Sequence, residues 1–532
     1  MSTQQAAIDP VGAADVAPDS WVRIGDEVRS KAQMHLAARR AARGFRELGV
    51  GRGDVVAVYM RNSFGFMEAT VGAGLVGAHV TPVNWHNTPE EARYVLQDSG
   101  AKVLVIHADL YRAVRDVIPA GVHVLVAETP ENLRAPYRVS AEAAAIPAGA
   151  ADWDAWQANH APLEEPFETA PGSMIYTSGT TGNPKGVRRN PPTPEQMESS
   201  LEMLRLVGGL THWDRPLHEA TLLIPGPAYH SSPNGWMFIF FNIGANLVVE
   251  PRFDPERMLA LIERHRISHV LAVPTMFVRM LALPEDVRNR YDLSSVVHVM
   301  HVGAPCPPHV KRAMLDWWGP VISEHYGSTE VGAVTYCTGQ EWLDHPGTVG
   351  RAVPGTTVVI MDENGNLLPQ GESGEVVCLR PTYPDFTYHG DDAKRRKADR
   401  GGLVATGDVG YFDADGFLHL SGRASDMIIF GGTNIYPAEI EAELMRTPGV
   451  ADCAVFGIPD AEYGEQVCAF IQPKPGADLD ADAVRADLGQ RLASYKIPRH
   501  IEFADTLPRE DTGKIFKRKL REPFWSGVGR NI

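Results

Sequence analysis

One short loop carries the residues best suited to holding phosphate. It runs from Tyr176 to Val187 and reads YTSGTTGNPKGV. Its glycines allow the main chain to approach a ligand closely, and its main-chain N–H groups and hydroxyls can donate to phosphate oxygens. Lys185 does not fit the familiar G-x-x-x-x-G-K-[S/T] loop, because Pro184 precedes it and Gly186 follows it. The residues predict a phosphate-binding loop, with a flexible surface turn as the alternative.

Further motifs follow this loop at long spacings. They are Gly303-Ala304-Pro305, Tyr326-Gly327-Ser328-Thr329-Glu330, Thr406-Gly407-Asp408, Gly422-Arg423 and the run from Pro508 to Lys514. In order and spacing, the set resembles the signatures of the adenylate-forming superfamily: acyl- and aryl-CoA synthetases, nonribosomal peptide adenylation domains and luciferases. It is most similar to a fatty-acid or acyl-CoA synthetase. Where the family often has a Thr-His pair, this chain has Arg188-Arg189-Asn190-Pro191, which indicates a subfamily difference.

The resemblance implies a role for each motif in an ATP site. The phosphate loop residues are Thr177, Ser178, Gly179, Thr180, Thr181, Gly182 and Lys185. The adenine-side and ribose-side residues are Gly303, Ala304, Pro305, Tyr326, Gly327, Asp408 and Arg423. By the same match, Thr329 contacts the α-phosphate, Glu330 binds Mg²⁺, and Lys514 is the catalytic lysine of adenylation.

These residue types suit the chemistry that the resemblance implies. Attack of a carboxylate on the α-phosphate of ATP brings two anions together, so catalysis must come mostly from positioning and charge neutralisation. Phosphoryl chemistry relies on such clamps together with Mg²⁺. A compact ammonium at Lys514, next to a glycine, can bridge the carboxylate and the α-phosphate. The acyl-adenylate product is reactive, so water must be excluded until the second nucleophile arrives.

The second step needs a different surface. In the family, the C-terminal domain rotates after adenylation and brings in a hairpin that lines the tunnel for coenzyme A. Gly431 and Gly432 match that hairpin, and glycine suits a narrow tunnel. Ser425 stands at the hinge position, where the family often has Asp or Lys, and Asp426 follows it. Ser425 is therefore the predicted hinge, with the pivot left open between neighbouring residues.

The acyl side is marked by an apolar segment. Pro227-Ala228-Tyr229-His230 resembles the family segment that gates the carboxylate, so His230 is assigned that role, with a buried structural histidine as the alternative. Asn234, Gly235 and Trp236 follow in the apolar run 231–241 as predicted pocket residues, although Trp236 also suits a packing role. No acidic residue occurs from 231 to 249. Because a buried unpaired ammonium is costly, an amino-acid substrate is disfavoured and an apolar tail is expected.

Two other patterns invite functional interpretations. The set His298, His301, Cys306 and His309 has the composition of a zinc site. However, 296–302 reads as a strand, which would place His298 and His301 on opposite faces, so metal binding there is not predicted. The basic run Lys394–Lys397 is predicted to be a solvated loop, with contact to the phosphates of CoA as the alternative.

Composition limits the classes of partner. The chain has 532 residues and a net charge of -16, so an extended nucleic-acid partner is not expected. The first residues lack the features of a secretory signal, and no apolar stretch reaches the about 20 residues of a membrane span. The five cysteines are an odd, widely spread set without a C-x-x-C pair, which fits a reducing cytoplasm. A soluble cytoplasmic protein is expected, with a homodimer as one option for its assembly.

The elements that position these motifs alternate between strand and helix. Apolar runs such as 54–60, 102–107 and 268–273 read as strands, and 31–48 and 254–265 read as helices, which predicts parallel sheets covered by helices. Residues 127–172 read as a linker or long loop, and 347–421 as a β subdomain. The predicted fold is α/β. A large N-terminal domain of stacked α/β subdomains plus a β subdomain covers 1–424, and a small mobile C-terminal α+β domain covers 425–532.

Together these features predict an enzyme. The expected reaction is ATP-dependent synthesis of an acyl-CoA from a hydrophobic carboxylic acid, of medium or long chain or similar, with AMP and pyrophosphate as by-products. An aryl-CoA ligase of the cinnamate or benzoate type and an adenylating enzyme that loads a carrier protein are the alternatives. An ATP-sensing module and a luciferase-type oxygenation remain as less favoured interpretations.

Overall fold

The computed structural model describes residues 20–177, 184–431, 433–509 and 515–526. The described strands form four sheets, of fourteen, five, five and three strands, and helices pack against them. This is the α/β architecture that the alternating pattern predicts. Within the described ranges, no helix combines the length and apolar character needed to cross a membrane.

The first region builds a parallel five-stranded sheet. Its elements are β1 (Trp21–Ile24), β2 (Glu27–Ser30), α1 (Lys31–Glu47), β3 (Val55–Tyr59), α2 (Phe64–Leu75), β4 (His79–Pro82), α3 (Pro89–Asp98), β5 (Val103–His107), α4 (Ala108–Val114), β6 (His123–Ala127), α5 (Glu131–Tyr137), α6 (Ala141–Ala144), β7 (Ala151–Asp152) and α7 (Trp153–Ala158). The strand order is β4-β3-β5-β6-β7, with every pair parallel. Strands β3 and β5 are buried along their whole length, as expected of a sheet covered on both faces.

The prediction of a linker over residues 127–172 is wrong. Helices α5, α6 and α7 and strand β7 lie within it. The Trp153 side chain is fully buried, its ring centroid lies 6.0 Å from that of Phe45, and it stacks on Trp156 at 5.5 Å. The Ala, Pro and Glu content suggested a linker, but a few large apolar side chains suffice to fix this segment onto α1.

The second region builds the central part of the fourteen-stranded sheet. Its elements are β8 (Ile175–Thr177), β9 (Lys185–Arg189), α8 (Pro194–Val207), β10 (Thr221–Ile224), α9 (Ser231–Asn242), β11 (Asn246–Val249), α10 (Pro255–His265), β12 (His269–Ala272), α11 (Pro274–Leu281), α12 (Glu285–Arg288), β13 (His298–His301), α13 (Pro308–Trp318), β14 (Ile322–Ser328), β15 (Gly332–Cys337) and α14 (Gly339–Asp344). Strands β11, β10, β12, β13 and β14 run parallel in that order. Strand β1 pairs in parallel with β11, so the chain joins the large sheet from Trp21 onward.

The next region is mostly β, as predicted. It contains β16 (Thr348–Ala352), β17 (Thr357–Met361), β18 (Gly374–Leu379), β19 (Phe386–Tyr388), α15 (Asp392–Lys397), β20 (Asp399–Arg400), β21 (Leu403–Phe412) and β22 (Leu418–Arg423). Strand β16 joins β15 to β22, so these strands extend the large sheet. Strand β19 instead pairs with β9 in the three-stranded sheet β19-β9-β8, which carries the two ends of the phosphate loop.

The last region forms its own five-stranded sheet. It contains β23 (Ile428–Phe430), β24 (Thr433–Ile435), α16 (Pro437–Leu444), β25 (Val450–Asp460), β26 (Gly464–Pro473), α17 (Ala481–Leu488), β27 (His500–Phe503) and α18 (Lys517–Trp525). Its strand order is β24-β23-β26-β25, with β27 parallel to β26. Strand β22 of the large sheet ends at Arg423, and a 3₁₀ turn over Ala424–Asp426 leads into this sheet. The domain boundary at 424/425 stays a prediction.

Candidate active site

Several predicted motifs meet at one edge of the large sheet. Pro227–His230 lies just beyond β10, Gly303–Pro305 just beyond β13, and Tyr326–Glu330 at the end of β14. Because β10, β13 and β14 run parallel in one sheet, their carboxyl ends lie at the same edge. In open α/β sheets, ligands bind outside that edge. Gly303 has φ +88°, a value that favours glycine.

A charged network joins three of the predicted nucleotide residues. The Tyr326 hydroxyl donates to Asp408 Oδ2 at 2.6 Å, and Arg423 Nε lies 2.8 Å from Asp408 Oδ1. Burial and the Asp408 carboxylate raise the pKa of the Tyr326 hydroxyl well above its usual value. The tyrosine therefore stays a donor at neutral pH and holds its ring in a fixed orientation.

Strand register explains how Tyr326 and Asp408 meet. Gly327 is required at a bulge where β14 meets β15, because a Cβ there would collide with the main-chain carbonyl of Gly332. In the hairpin of β21 and β22, Asp408 lies directly opposite Arg423. Pairing of distant strands thus brings together motifs that the sequence separates widely.

The motif at the end of β14 continues into polar contacts. Thr329 Oγ1 donates to Ser231 Oγ at 3.0 Å, and the main-chain carbonyl of Thr329 accepts from the Arg189 guanidinium. Arg189 also lies over the Tyr383 ring at 4.3 Å. The Arg189 position, noted in the sequence only as a departure from the family pattern, therefore fixes the main chain beside the predicted α-phosphate contact.

Glu330 sits in a cluster that the sequence did not reveal. The Tyr388 hydroxyl donates to Glu330 Oε1 at 3.1 Å, and Lys394 Nζ lies 4.2 Å from the Tyr388 ring centroid. Burial lowers the pKa of Lys394; Glu330 opposes that shift, and Lys185 adds to it. The prediction of a solvated loop at Lys394–Lys397 is wrong, because these residues form most of helix α15, which directs Lys394 towards Glu330.

The carboxylate of Glu330 is a suitable ligand for Mg²⁺. This ion prefers oxygen ligands and is usually held by one or two carboxylates together with substrate phosphates. Glu330 offers a carboxylate at the sheet edge, and Lys185 is close enough to help lower the pKa of Lys394. The residues present therefore fit a magnesium-bound triphosphate.

The two ends of the phosphate loop face each other across β8 and β9. Thr177 pairs with Lys185, and Asp98 accepts from the Tyr176 hydroxyl at 2.8 Å and from the Tyr94 hydroxyl at 3.2 Å. This carboxylate anchors the strand that enters the loop. The loop residues Ser178, Gly179, Thr180, Thr181 and Gly182 lie outside the described residues.

The turn that ends in His230 is held by a residue that the sequence did not single out. Asn62, buried just beyond β3, accepts from the Ala228 N–H at 2.8 Å and donates to the carbonyls of Gly226 and Glu250. His230 precedes the first residue of α9, and its ring lies 4.2 Å from that of Tyr229. A polar residue at the carboxyl end of a buried strand was the available signal. The role of His230 stays a prediction.

Helix α9 presents the predicted acyl residues in different ways. Asn234 is buried and bonded at both ends of its amide, donating to the Ala228 carbonyl at 2.9 Å and accepting from Ser173 at 2.8 Å. A Cβ at Gly235 would meet no heavy atom within 4 Å, so this position borders open space. Trp236 is 6% exposed, and its ring lies against Phe240 and His325 with centroid distances of 6.2 and 6.1 Å. Trp236 therefore packs between α9 and β14.

The histidines of β13 serve the fold. His298 Nε2 lies 3.0 Å from the Val207 carbonyl on one side of the sheet. On the other side, His301 Nε2 lies 3.1 Å from Glu324 Oε2. The strand therefore directs the two rings to opposite faces, as its period of two predicts.

The last region brings its predicted residues into a compact frame. Gly431 has φ +54° and donates its N–H to the Tyr463 carbonyl at 2.9 Å. Arg509 forms an ion pair with Asp452 and a strand-like bridge with Ile515, so the two ends of the segment carrying Lys514 lie side by side. Gly432 and Lys514 themselves lie outside the described residues, and at Ser425 the structure describes only the main chain of the 3₁₀ turn.

Comparisons with known proteins identify the family of the chain. The family model described as "AMP-binding enzyme" matches residues 13–383, and "AMP-binding enzyme C-terminal domain" matches residues 439–514. The feruloyl-CoA synthase of Amycolatopsis sp is 32% identical over 97% of this chain and 98% of its own. The long-chain-fatty-acid–CoA ligase FadD13 of Mycobacterium tuberculosis (strain ATCC 25618 / H37Rv) is 31% identical over 99% of this chain and 98% of its own.

A solved structure extends the match to the fold. The crystal structure of ATP-bound MatB from Rhodopseudomonas palustris superposes with a TM-score of 0.81 at 26% identity, covering 98% of both chains. The predicted superfamily is thereby confirmed. The chain belongs to the family of AMP-binding enzymes, the AMP-forming acyl- and aryl-CoA synthetases and ligases that use ATP, Mg²⁺ and coenzyme A.

Proposed function

We propose that this enzyme activates a carboxylic acid with a hydrophobic tail to an acyl-adenylate and transfers the acyl group to coenzyme A. One observation carries the proposal: the hydrogen bond from Thr329 to Ser231 joins the nucleotide motif of β14 to the first residue of the apolar helix α9. A carboxylate positioned by the start of α9 would therefore lie beside the predicted α-phosphate contact. The reaction needs these two groups in contact.

The nucleotide side supplies positioning. Tyr326, held by Asp408, offers a ring on which adenine can stack, and Asp408 with Arg423 offers partners for the ribose hydroxyls. A carboxylate oxygen of the acid attacks the α-phosphorus, the bond to the bridging oxygen breaks, and pyrophosphate leaves. Mg²⁺ held by Glu330 would supply charge neutralisation to the phosphates. Lys185 and Lys394 add two positive charges on the side from which pyrophosphate leaves.

The second step is assigned to the C-terminal residues. We infer that 1–424 and 425–532 act as two domains, so that Lys514 serves adenylation and Gly431 with Gly432 borders the path of coenzyme A. The thiol sulfur attacks the acyl carbon, loses its proton, and AMP leaves. Ser425→Pro tests the pivot: the thioester step should fall much more than adenylation. Equal loss of both steps, or no loss of either, would rule out Ser425.

A compact aromatic acid is the second candidate substrate, and the position of Trp236 favours it. The buried indole fills space between α9 and β14, which shortens any pocket along the helix. The relatives include a feruloyl-CoA synthase and a long-chain-fatty-acid–CoA ligase, so both substrate classes occur among them. Trp236→Ala should extend the accepted chain length of straight acids by several carbons. An unchanged profile would show that Trp236 does not bound the pocket.

A panel assay tests the proposal as a whole. Straight-chain acids from acetate to stearate and substituted benzoates and cinnamates are assayed for pyrophosphate release, with and without coenzyme A. Release with at least one acid, and thioester formation when coenzyme A is added, are expected. Lys514→Ala should abolish pyrophosphate release yet still convert a supplied acyl-adenylate to thioester. If no acid releases pyrophosphate, the proposal is wrong; if acids are adenylated but coenzyme A accepts nothing, carrier-protein loading takes its place.

A further inference from the structure

One half-buried histidine beside the predicted acyl segment has two buried ring nitrogens without a hydrogen-bond partner in the part of the chain that the structure describes. Both ring nitrogens of His325 are buried, and neither has a partner among the described residues. The ring lies 6.1 Å from that of Trp236, and the residue as a whole keeps part of its surface open. Burial lowers the pKa of His325 to about 4, so the imidazole is neutral near pH 7, with one nitrogen as donor and one as acceptor.

This state is unlike that of the neighbouring histidines on the same face of the sheet. His298 Nε2 lies 3.0 Å from the Val207 carbonyl, and His269 Nδ1 lies 2.8 Å from Ser268 Oγ. Buried polar groups in proteins are nearly always paired, and an exception calls for an explanation. A buried donor and a buried acceptor without hydrogen bonds lower the stability of the folded protein. An apolar residue at position 325 would therefore be better if the side chain served packing alone.

The position of His325 suggests what it pairs with. It precedes Tyr326 on β14 and faces the opposite side of the strand, towards Trp236 on helix α9. Trp236 follows His230 by six residues, which is about 9 Å along a helix. A group near Trp236 and His325 would therefore lie about 9 Å from a carboxylate held at the start of α9, at the far end of a compact tail.

We propose that His325 forms a hydrogen bond with an oxygen substituent on the tail of the acid, so that the preferred substrates are hydroxy- or oxo-substituted carboxylic acids. The inference rests on the proposed function and narrows its substrate class. A neutral imidazole can accept from a hydroxyl or donate to a carbonyl oxygen. His325 is thus a specificity-determining residue, and Trp236 forms the apolar wall beside it.

Paired substrates that differ at one group test this inference. 4-Hydroxycinnamate is compared with 4-methylcinnamate, and 8-hydroxyoctanoate with nonanoate, by kcat/KM for pyrophosphate release. The native enzyme should prefer the oxygenated member of at least one pair by tenfold or more, because a site built to bond a hydroxyl discriminates strongly against its absence. His325→Phe should reduce that preference to about onefold, and His325→Asn should restore part of it.

A matched control separates specificity from stability. His298→Gln changes a buried histidine on the same face that already has a partner, so it should lower thermal stability without changing the preference ratio. No preference in the native enzyme, or an unchanged ratio in His325→Phe, would overturn the inference. If His325→Phe does not fold, the preference ratio of the native enzyme still tests the inference. If neither member of any pair releases pyrophosphate while other acids do, the inference alone fails; if no acid does, the proposed function fails.

Discussion

Neighbouring side chains of strand β14 differ in how their polar atoms are satisfied. Glu324 faces one side of the sheet, where Lys311 Nζ lies 2.5 Å and His301 Nε2 lies 3.1 Å from its Oε2. His325 faces the other side and has no hydrogen-bond partner among the described residues. The Glu324 carboxylate is thus compensated by charged and polar groups of the protein itself, whereas the His325 ring, beside the predicted acyl site, keeps hydrogen-bonding capacity that no described residue uses.

Tyr326, the next residue, combines a paired polar atom with a surface that a ligand can use. Its hydroxyl is bonded to Asp408, yet its ring belongs to the predicted adenine site. The nucleotide side thus combines an internally paired network with surfaces left for the ligand. This difference fits a site in which ATP is common to the family while the acid varies between relatives, because the paired network needs no adjustment to each acid.

Glu324→Gln, the change with the largest expected effect, tests the paired side. The Lys311 side chain is fully buried, so loss of the opposing carboxylate leaves an uncompensated buried charge. Breaking a buried pair in this way costs about 3–5 kcal/mol, measured as the free energy of unfolding in denaturant. Glu90→Gln is the control: Glu90 and Arg93 also form an ion pair, at 2.8 Å, but are 70% and 48% exposed, so a loss below about 1 kcal/mol is expected.

The acid dependence of stability follows from the same pair. Lys311 and His301 oppose the effect of burial and lower the pKa of Glu324 to about 2. A carboxylate whose pKa is lower in the folded protein stabilises it above the unfolded pKa of about 4.3, and this contribution is lost as pH falls towards 2. Glu324→Gln should flatten the decline in unfolding free energy over that interval. An unchanged pH profile would show that Glu324 does not titrate there.

Asp408→Ala tests the nucleotide network. It removes the acceptor of both Tyr326 and Arg423 and the predicted partner of the ribose. Hydrogen bonds to charged groups contribute about 1.5–3 kcal/mol each, so KM for ATP should rise about 100-fold. Asp413→Asn is the control, because Asp413 occupies the turn of the same hairpin and accepts main-chain N–H groups there. A similar rise in both variants would mean that the hairpin, and not Asp408, governs ATP binding.

The structure brings together nucleotide motifs that the sequence singled out, whereas His325 was not singled out, and the reason is physical. Motifs such as Thr406-Gly407-Asp408, which lies within strand β21, are short and contiguous, so they can be found without knowing what packs against them. The Asp408 network needs only strand pairing to assemble. His325 differs, because the period of a strand predicts which face a side chain takes but does not reveal what lies opposite. Its partner surface comes from α9, about 90 positions earlier in the chain.

Long-range contacts, which sequence patterns do not reveal, also explain the two wrong predictions. Composition made 127–172 resemble a linker, although Trp153 packs onto α1 from far away in the chain. Charge made Lys394–Lys397 resemble a solvated loop, although the Tyr388 ring and Glu330 draw Lys394 into the site. Local sequence patterns indicate whether a segment is helix or strand and which way its side chains alternate. The contacts that determine whether a residue is buried or lies in a site come from distant parts of the chain.

Lys394→Met tests whether that cluster takes part in catalysis. The change keeps the apolar stem and removes a charge near Glu330 and Lys185. If Lys394 neutralises charge on the departing pyrophosphate, kcat for pyrophosphate release should fall about tenfold. Lys397→Met, on the exposed side of α15, should leave kcat unchanged. Equal rates in the Lys394 variant and the native enzyme would assign Lys394 to packing on Tyr388 alone.

Ser231→Ala, the change with the smallest expected effect, tests the link between the nucleotide side and the acyl side of the site. The Ser231 hydroxyl accepts from Thr329 at 3.0 Å, and a neutral hydrogen bond of this kind contributes about 0.5–1.5 kcal/mol. KM for the acid and kcat should therefore change by about threefold to tenfold, while KM for ATP stays near its native value. Ser295→Ala loses a bond of similar strength, to the Ile267 carbonyl at 2.9 Å, far from this edge of the sheet, and should alter stability without altering either constant. If Ser231→Ala instead raises KM for ATP as strongly as KM for the acid, the two sides are not separable. In that case α9 belongs to the nucleotide network. The difference between the paired Glu324 and the unpaired His325 would then reflect how each side chain packs, and not which ligand it serves.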